Sequence, residues 1–150
     1  MKQFFDTSVL ISAFVEDERH HDACVEAVVN AEHGVVYAHG LAECFSLLTG
    51  GRLSIQLSPA DAARIVEANV VERMEVIALD PPEVMRVLHA CQATGARGGG
   101  VYDCLHLAAA RKAGADELLT LNVRRFVAFA PDLATRIRQP RGSGCPQGDR

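Results

Sequence analysis

Four short apolar runs, Lys2 to Phe5, Val35 to Ala38, Met74 to Leu79 and Glu117 to Leu121, are separated by stretches of helical character. Runs of this length read as strands. Strands alternating with helices are joined by right-handed crossovers into a mostly parallel sheet with helices on both faces. The pattern therefore predicts an α/β chain with a central sheet of four strands, or five if Thr135 to Arg138 adds an edge.

The punctuation between the runs is specific. Helices are predicted over Thr7 to Val15, Asp22 to Glu32 and His39 to Thr49, the last closed by Gly50-Gly51, because glycine tolerates the left-handed conformation at a helix C-terminus. Ser58 and Pro59 open a further helix to about Val71, and Pro81-Pro82-Glu83 one to Thr94-Gly95. A helix from Asp103 to Ala113 ends at Gly114, and Phe126 to Leu133 reads as loop. Residues 1–139 are expected to form one domain; residues 140–150 have nothing to bury and read as a disordered tail, with Cys145 an exposed thiol.

Whole-chain chemistry excludes some classes. No run of about 18 apolar residues exists to cross a membrane, and the N-terminus lacks the pattern of a secretory signal, so a cytoplasmic protein is expected. The five cysteines contain no C-x-x-C pair, and are expected to be reduced and mostly buried. A net charge of −4 argues against a simple basic surface for nucleic acid; such a partner requires bound cations or a local arginine cluster.

The candidate chemistry lies at the ends of the predicted strands. Asp6 follows the first, Glu43 lies in the first turns after the second, Asp103 heads a helix, and Asn122 follows the fourth. In an open parallel sheet, ligands bind beyond the carboxyl ends of the strands. Helix capping is an alternative for Asp6 and Asp103. Glu43 is harder to dismiss, because it interrupts the apolar stretch Leu41-Ala42-Glu43-Cys44-Phe45, where an inward-pointing acid is costly unless paired or on a metal. Clustered carboxylates repel unless a cation balances them; oxygen donors suit Mg2+ or Mn2+, and such sites hydrolyse phosphodiesters.

Neighbouring residues are more ambiguous. Arg97, Arg124 and Arg125 flank these positions, as phosphate contacts or as a solvated rim. His106 follows Asp103 by one turn and reads as a surface or core histidine; His20 and His21 read as solvated. Gly98 to Gly100 lack the strand-then-helix context of a phosphate loop, and read as a flexible approach to Asp103.

Together, Phe5-Asp6-Thr7-Ser8-Val9-Leu10, Glu43 in a helix, Tyr102-Asp103-Cys104-Leu105-His106-Leu107-Ala108-Ala109-Ala110 and Leu118-Leu119-Thr120-Leu121-Asn122-Val123-Arg124-Arg125-Phe126 resemble the PIN domain family, nearest to its small VapC-like toxins. The resemblance spans about residues 2 to 138. It implies a three-layer α/β/α fold and an Mg2+- or Mn2+-dependent endoribonuclease, the toxin of a type II toxin–antitoxin system. It also implies a homodimer, an RNA substrate and a small cognate antitoxin. By position, Asp6, Glu43 and Asp103 would be the core acids, Thr7 or Ser8 a supporting hydroxyl, and Thr120 the threonine before a fourth site position occupied by Asn122. Many relatives carry Asp there, so Asp116 is a secondary candidate for the missing charge. Two other readings are a catalytically weakened binding module and a phosphatase with an aspartyl nucleophile; the latter wants a second acid where this chain has Ser8.

Overall fold

A computed structural model describes residues 1–143. Five strands, β1 (Lys2–Phe5), β2 (His33–Tyr37), β3 (Glu75–Ile77), β4 (Glu117–Leu119) and β5 (Ile137–Arg138), form one sheet in the order β3-β2-β1-β4-β5. Every pairing is parallel, with Phe4 opposite Val35 and Leu118 in the two central ladders. The chain builds outward from β1 to β2 and β3, then crosses back to place β4 on the other side. That reversal opens a crevice at the carboxyl ends of β1 and β4.

Side-chain alternation divides the core. Phe5, Val36 and Leu119 face α1 (Thr7–Phe14), α2 (His21–Val29), α3 (Ala38–Thr49) and α4 (Pro59–Val66). Their neighbours Phe4, Val35, Tyr37 and Leu118 face the opposite way, onto α6 (Gly100–Ala113) and α7 (Val123–Phe129). Successive residues of a strand point to opposite faces, so these short central strands are apolar throughout. The result is the expected α/β/α sandwich. The remaining helix, α5 (Pro81–Thr94), has no fully buried residue; Asp80 and Glu83 close its start as a reciprocal capping box, and Gly95 ends it at φ +73°.

Several boundaries differ from expectation. The segment read as loop from Phe126 contains the second half of α7 and a 3-10 turn at Pro131–Leu133; Phe126 and Ala130 are buried against the sheet, and tertiary packing fixes a helix only seven residues long. The helix read from Asp103 begins at Gly100. β4 ends at Leu119, two residues early, although the Thr120 N–H still donates to the Arg138 carbonyl. Residues 140–143 do not behave as a free tail: Pro140 is buried and the Ser143 N–H donates to Glu26 Oε2. The rest of the expected tail, with Cys145, lies outside the described residues. The loop histidines are engaged: His21 Nδ1 donates to the Ser12 carbonyl at 2.7 Å, and His20 meets the Gln139 amide.

Candidate active site

Asp6 occupies the N-cap position of α1, yet its side chain makes no capping hydrogen bond. Oδ2 instead accepts from Ser8 Oγ at 2.7 Å and from Thr120 Oγ1 at 2.9 Å. Capping therefore does not explain this residue. Thr120 is fully buried; its hydroxyl also accepts the Asn122 N–H, while Ser8 Oγ accepts the Leu121 N–H. The two hydroxyls thus lock the β4–α7 turn to the end of β1 and aim a buried carboxylate, 4% exposed, into the crevice.

Asp103 lies one turn inside α6, where it caps nothing. Oδ2 pairs with Arg125 Nε of α7 at 2.7 Å. Burial raises its carboxyl above the ordinary range and the Asp6 and Glu43 charges push it further, against the opposing pull of Arg125 and His106. Asp6 and Glu43 are therefore near enough to act on the ionisation of Asp103, although Asp6 follows β1, Glu43 sits in α3 and Asp103 sits in α6. Gly100 permits this junction: a Cβ there would sit 3.3 Å from Phe129 and 3.4 Å from the Arg125 guanidinium.

Glu43 enters from α3 and is half-buried. Oε1 accepts from His106 Nε2 at 2.8 Å, with His39 Nε2 at 3.8 Å. Desolvation would raise the Glu43 carboxyl, but the His106 hydrogen bond and charge, the His39 charge and the nearby Thr7 hydroxyl outweigh it and lower its pKa. Burial works to depress His106, yet the Glu43 hydrogen bond and the negative field of all three acids leave it raised. His106 is a core residue, as one reading of the sequence allowed, but its partnership with Glu43 was missed. The signal was the three-residue spacing from Asp103, which places both on one face of a helix. Gly40 allows the close approach, since a Cβ there would meet His106 Cε1 and Thr7 Oγ1 at 3.4 Å.

Other candidates separate clearly. Asn122 is exposed at the N-cap of α7 and lines an open surface depression with Arg124 and Arg125. Asp116 lies at the opposite, amino end of the central strands, where Oδ2 accepts the Lys2 N–H at 2.8 Å. With all of β1 between it and Asp6, roughly 13 Å of extended chain, Asp116 does not restore a fourth charge to the site. Arg97 is exposed in the turn before α6. A groove of about 430 Å3 between α5 and α6, lined by Val87, Cys91, Cys104 and Phe129 among others, contains none of the acids.

The donor set fits a hard divalent cation that keeps much of its water. Asp6, Glu43 and Asp103 each commit one oxygen to a protein partner and direct a second oxygen elsewhere. Thr7 Oγ1 is buried without a well-formed hydrogen bond, although it lies close enough to Glu43 to favour its charged form. It is a polar atom suited to a bound water. Among the described residues, no group of three His, Cys, Asp or Glu side chains is placed to hold an ion directly.

Comparison with known proteins identifies the family. The profile of the PIN domain family matches residues 4–130. Ribonuclease VapC27 of Mycobacterium tuberculosis is 34% identical over 119 residues, covering 79% of this chain and 83% of that protein. Among solved structures, M. tuberculosis VapC20, a sarcin-ricin loop cleaving toxin, superposes with a TM-score of 0.64 at 17% identity, over 78% of this chain and 87% of its own. A chain of a toxin–antitoxin complex from Klebsiella pneumoniae gives 0.65 at 15%, over 94% and 99%. At such identities the structural matches speak for the shared fold.

Proposed function

The chain belongs to the PIN domain family, and from that premise we propose that it is a metal-dependent endoribonuclease, the toxin of a toxin–antitoxin pair. The observation that carries the reading is the meeting of Asp6, Glu43 and Asp103 at the carboxyl ends of β1 and β4, with each acid oriented by a partner from another element. Asp6 and Asp103 are the residues to hold Mg2+ or Mn2+, with Glu43 direct or through water. When bound, the cation supplies an acidified water and charge stabilisation at a phosphodiester.

The remaining roles belong to the chain. Thr120 and Ser8 keep Asp6 aimed, because each donates a hydroxyl hydrogen bond to the same carboxylate oxygen. His106 holds Glu43 in one orientation and favours its charged form. Arg125 pairs with Asp103 and orients it, and together with Arg124 and the exposed Asn122 it forms a polar rim at which a phosphate backbone can be held. This local pair of arginines meets the requirement set by a net charge of −4.

An antitoxin of the kind found with the structural relatives is the proposed protein partner, and a homodimer acting in the cytoplasm the proposed working form. No helix among the described residues is long and apolar enough to cross a membrane. The deciding experiment is RNA cleavage with and without Mg2+, comparing wild type with Asp103→Asn. Cleavage that requires the ion and is lost in the variant supports the reading; full activity in excess chelator overturns it.

A further inference from the structure

A run of aromatic rings leads from the core to the rim of the acids, and hydrophobic burial accounts for only its inner part. Phe4 and Tyr37 meet His106 edge-on, at centroid distances of 6.0 and 5.4 Å. Tyr37 then contacts His39 at 6.1 Å, and His39 lies flat against Tyr102, with 5.1 Å between centroids and 5° between planes. Phe4, His106 and Tyr37 are buried, whereas Tyr102 is 45% exposed and the His39 side chain 41%. A coplanar pair left in water gains little from desolvation. It does present a flat, preordered π surface.

Its position is as informative as its exposure. His39 reaches Glu43 at 3.8 Å and Tyr102 stacks on His39, so the stack borders Glu43, with Tyr102 on the same turn of α6 as Asp103. We propose that Tyr102, held by His39, is a stacking platform for an unpaired nucleobase next to the phosphate addressed by the acids. The proposal rests on the nuclease reading and deepens it: the substrate is single-stranded RNA or an open loop, because a base within a duplex is already stacked on both faces. In a chain of net charge −4, attraction for the phosphate backbone is limited. Base stacking then contributes a large share of the affinity and tolerates many sequences.

The chain supplies its own reporter. It contains no tryptophan and two tyrosines, of which Tyr37 is buried and Tyr102 exposed. Titrating the Asp103→Asn protein with a short single-stranded oligoribonucleotide should quench tyrosine emission to saturation. Adding Tyr102→Leu should remove the quench and weaken binding, followed independently by calorimetry, about tenfold or more, whereas Tyr102→Trp should keep the affinity. In the otherwise native protein, the loss from Tyr102→Leu should fall on KM more than on kcat. Tyr102→Phe, which keeps the ring, controls for folding.

Binding by Tyr102→Leu within twofold of its parent overturns the platform, as does equal quenching by a blunt duplex. Should that variant bind RNA normally but lose affinity for a protein inhibitor, the surface belongs to a protein partner and the proposal falls. A native protein that cuts no RNA yet shows Tyr102-dependent binding sinks the nuclease reading and keeps the platform. The two failures are therefore distinguishable.

Discussion

Thr120 Oγ1 donates to Asp6 Oδ2 at 2.9 Å across 114 positions of sequence. The bond joins the ends of the two strands that flank the crevice, and both side chains are buried. It places a hydroxyl from β4's exit turn behind a carboxylate from β1's, so sheet pairing and acid placement are one structural unit.

Thr120→Val keeps the shape of the side chain but removes that donor and the acceptor for the Asn122 N–H. A buried carboxylate deprived of a partner costs about 1–3 kcal/mol. We expect a lower midpoint in urea unfolding with an unchanged slope, and partial recovery in Thr120→Ser. A midpoint equal to wild type would show the bond to be dispensable.

Divalent cations should stabilise the folded chain, because an ion that binds only the native acids shifts unfolding by mass action. In thermal melts, about 10 mM Mg2+ at several times its Kd should raise Tm by a few degrees. The rise should vanish in Asp6→Asn and Asp103→Asn. Asp116→Asn, altered at the amino end of the central strands, should retain it; equal loss there would mean that the stabilisation is nonspecific.

The His106–Glu43 pair should give metal-free stability a defined pH window. Glu43 has a lowered folded pKa, so its contribution is present above its ordinary value of 4.5 and is lost as pH falls through the folded value. His106 has a raised folded pKa, so its contribution is full below 6.5 and is lost as pH rises through the folded value. The stability difference between wild type and His106→Gln should therefore be largest between these two ordinary values and shrink on either side. A difference that keeps growing from pH 6.5 to pH 9 would contradict the pairing.

Thiol chemistry should follow burial. Desolvation pushes Cys24 up to about 11 and Cys44 to about 12, and Cys104 reaches about 11 beside Cys91. A thiol held protonated is a poor nucleophile. With iodoacetamide at pH 8, peptide-resolved mass spectrometry should find the part-buried Cys91 modified on the folded chain, and Cys24 and Cys44 modified only after unfolding. Native Cys44 reacting as fast as Cys91 would refute the ordering.

The sequence by itself determined the layer architecture and which acids stand at the ends of the strands. Alternating apolar runs with glycine, proline and serine punctuation demand a covered parallel sheet, and Asp6, Glu43 and Asp103 stand in local patterns legible without coordinates. It did not show α7, whose seven residues are too few to be stable alone and depend on burying Phe126. Nor did local patterns reveal the side-chain partnerships. His106 finds Glu43 63 positions away, and Arg125 finds Asp103 across the packing of α6 on α7. Asp116 and Asn122 bracket the predicted fourth strand, whose direction already puts Asp116 at the wrong end; the parallel ladder places Asp116 beside Lys2 at the amino end of β1 and the turn after Thr120 beside Asp6. Periodicity reports which face of an element is buried; which side chains meet depends on strand order and direction, which arise only when the whole sheet is assembled.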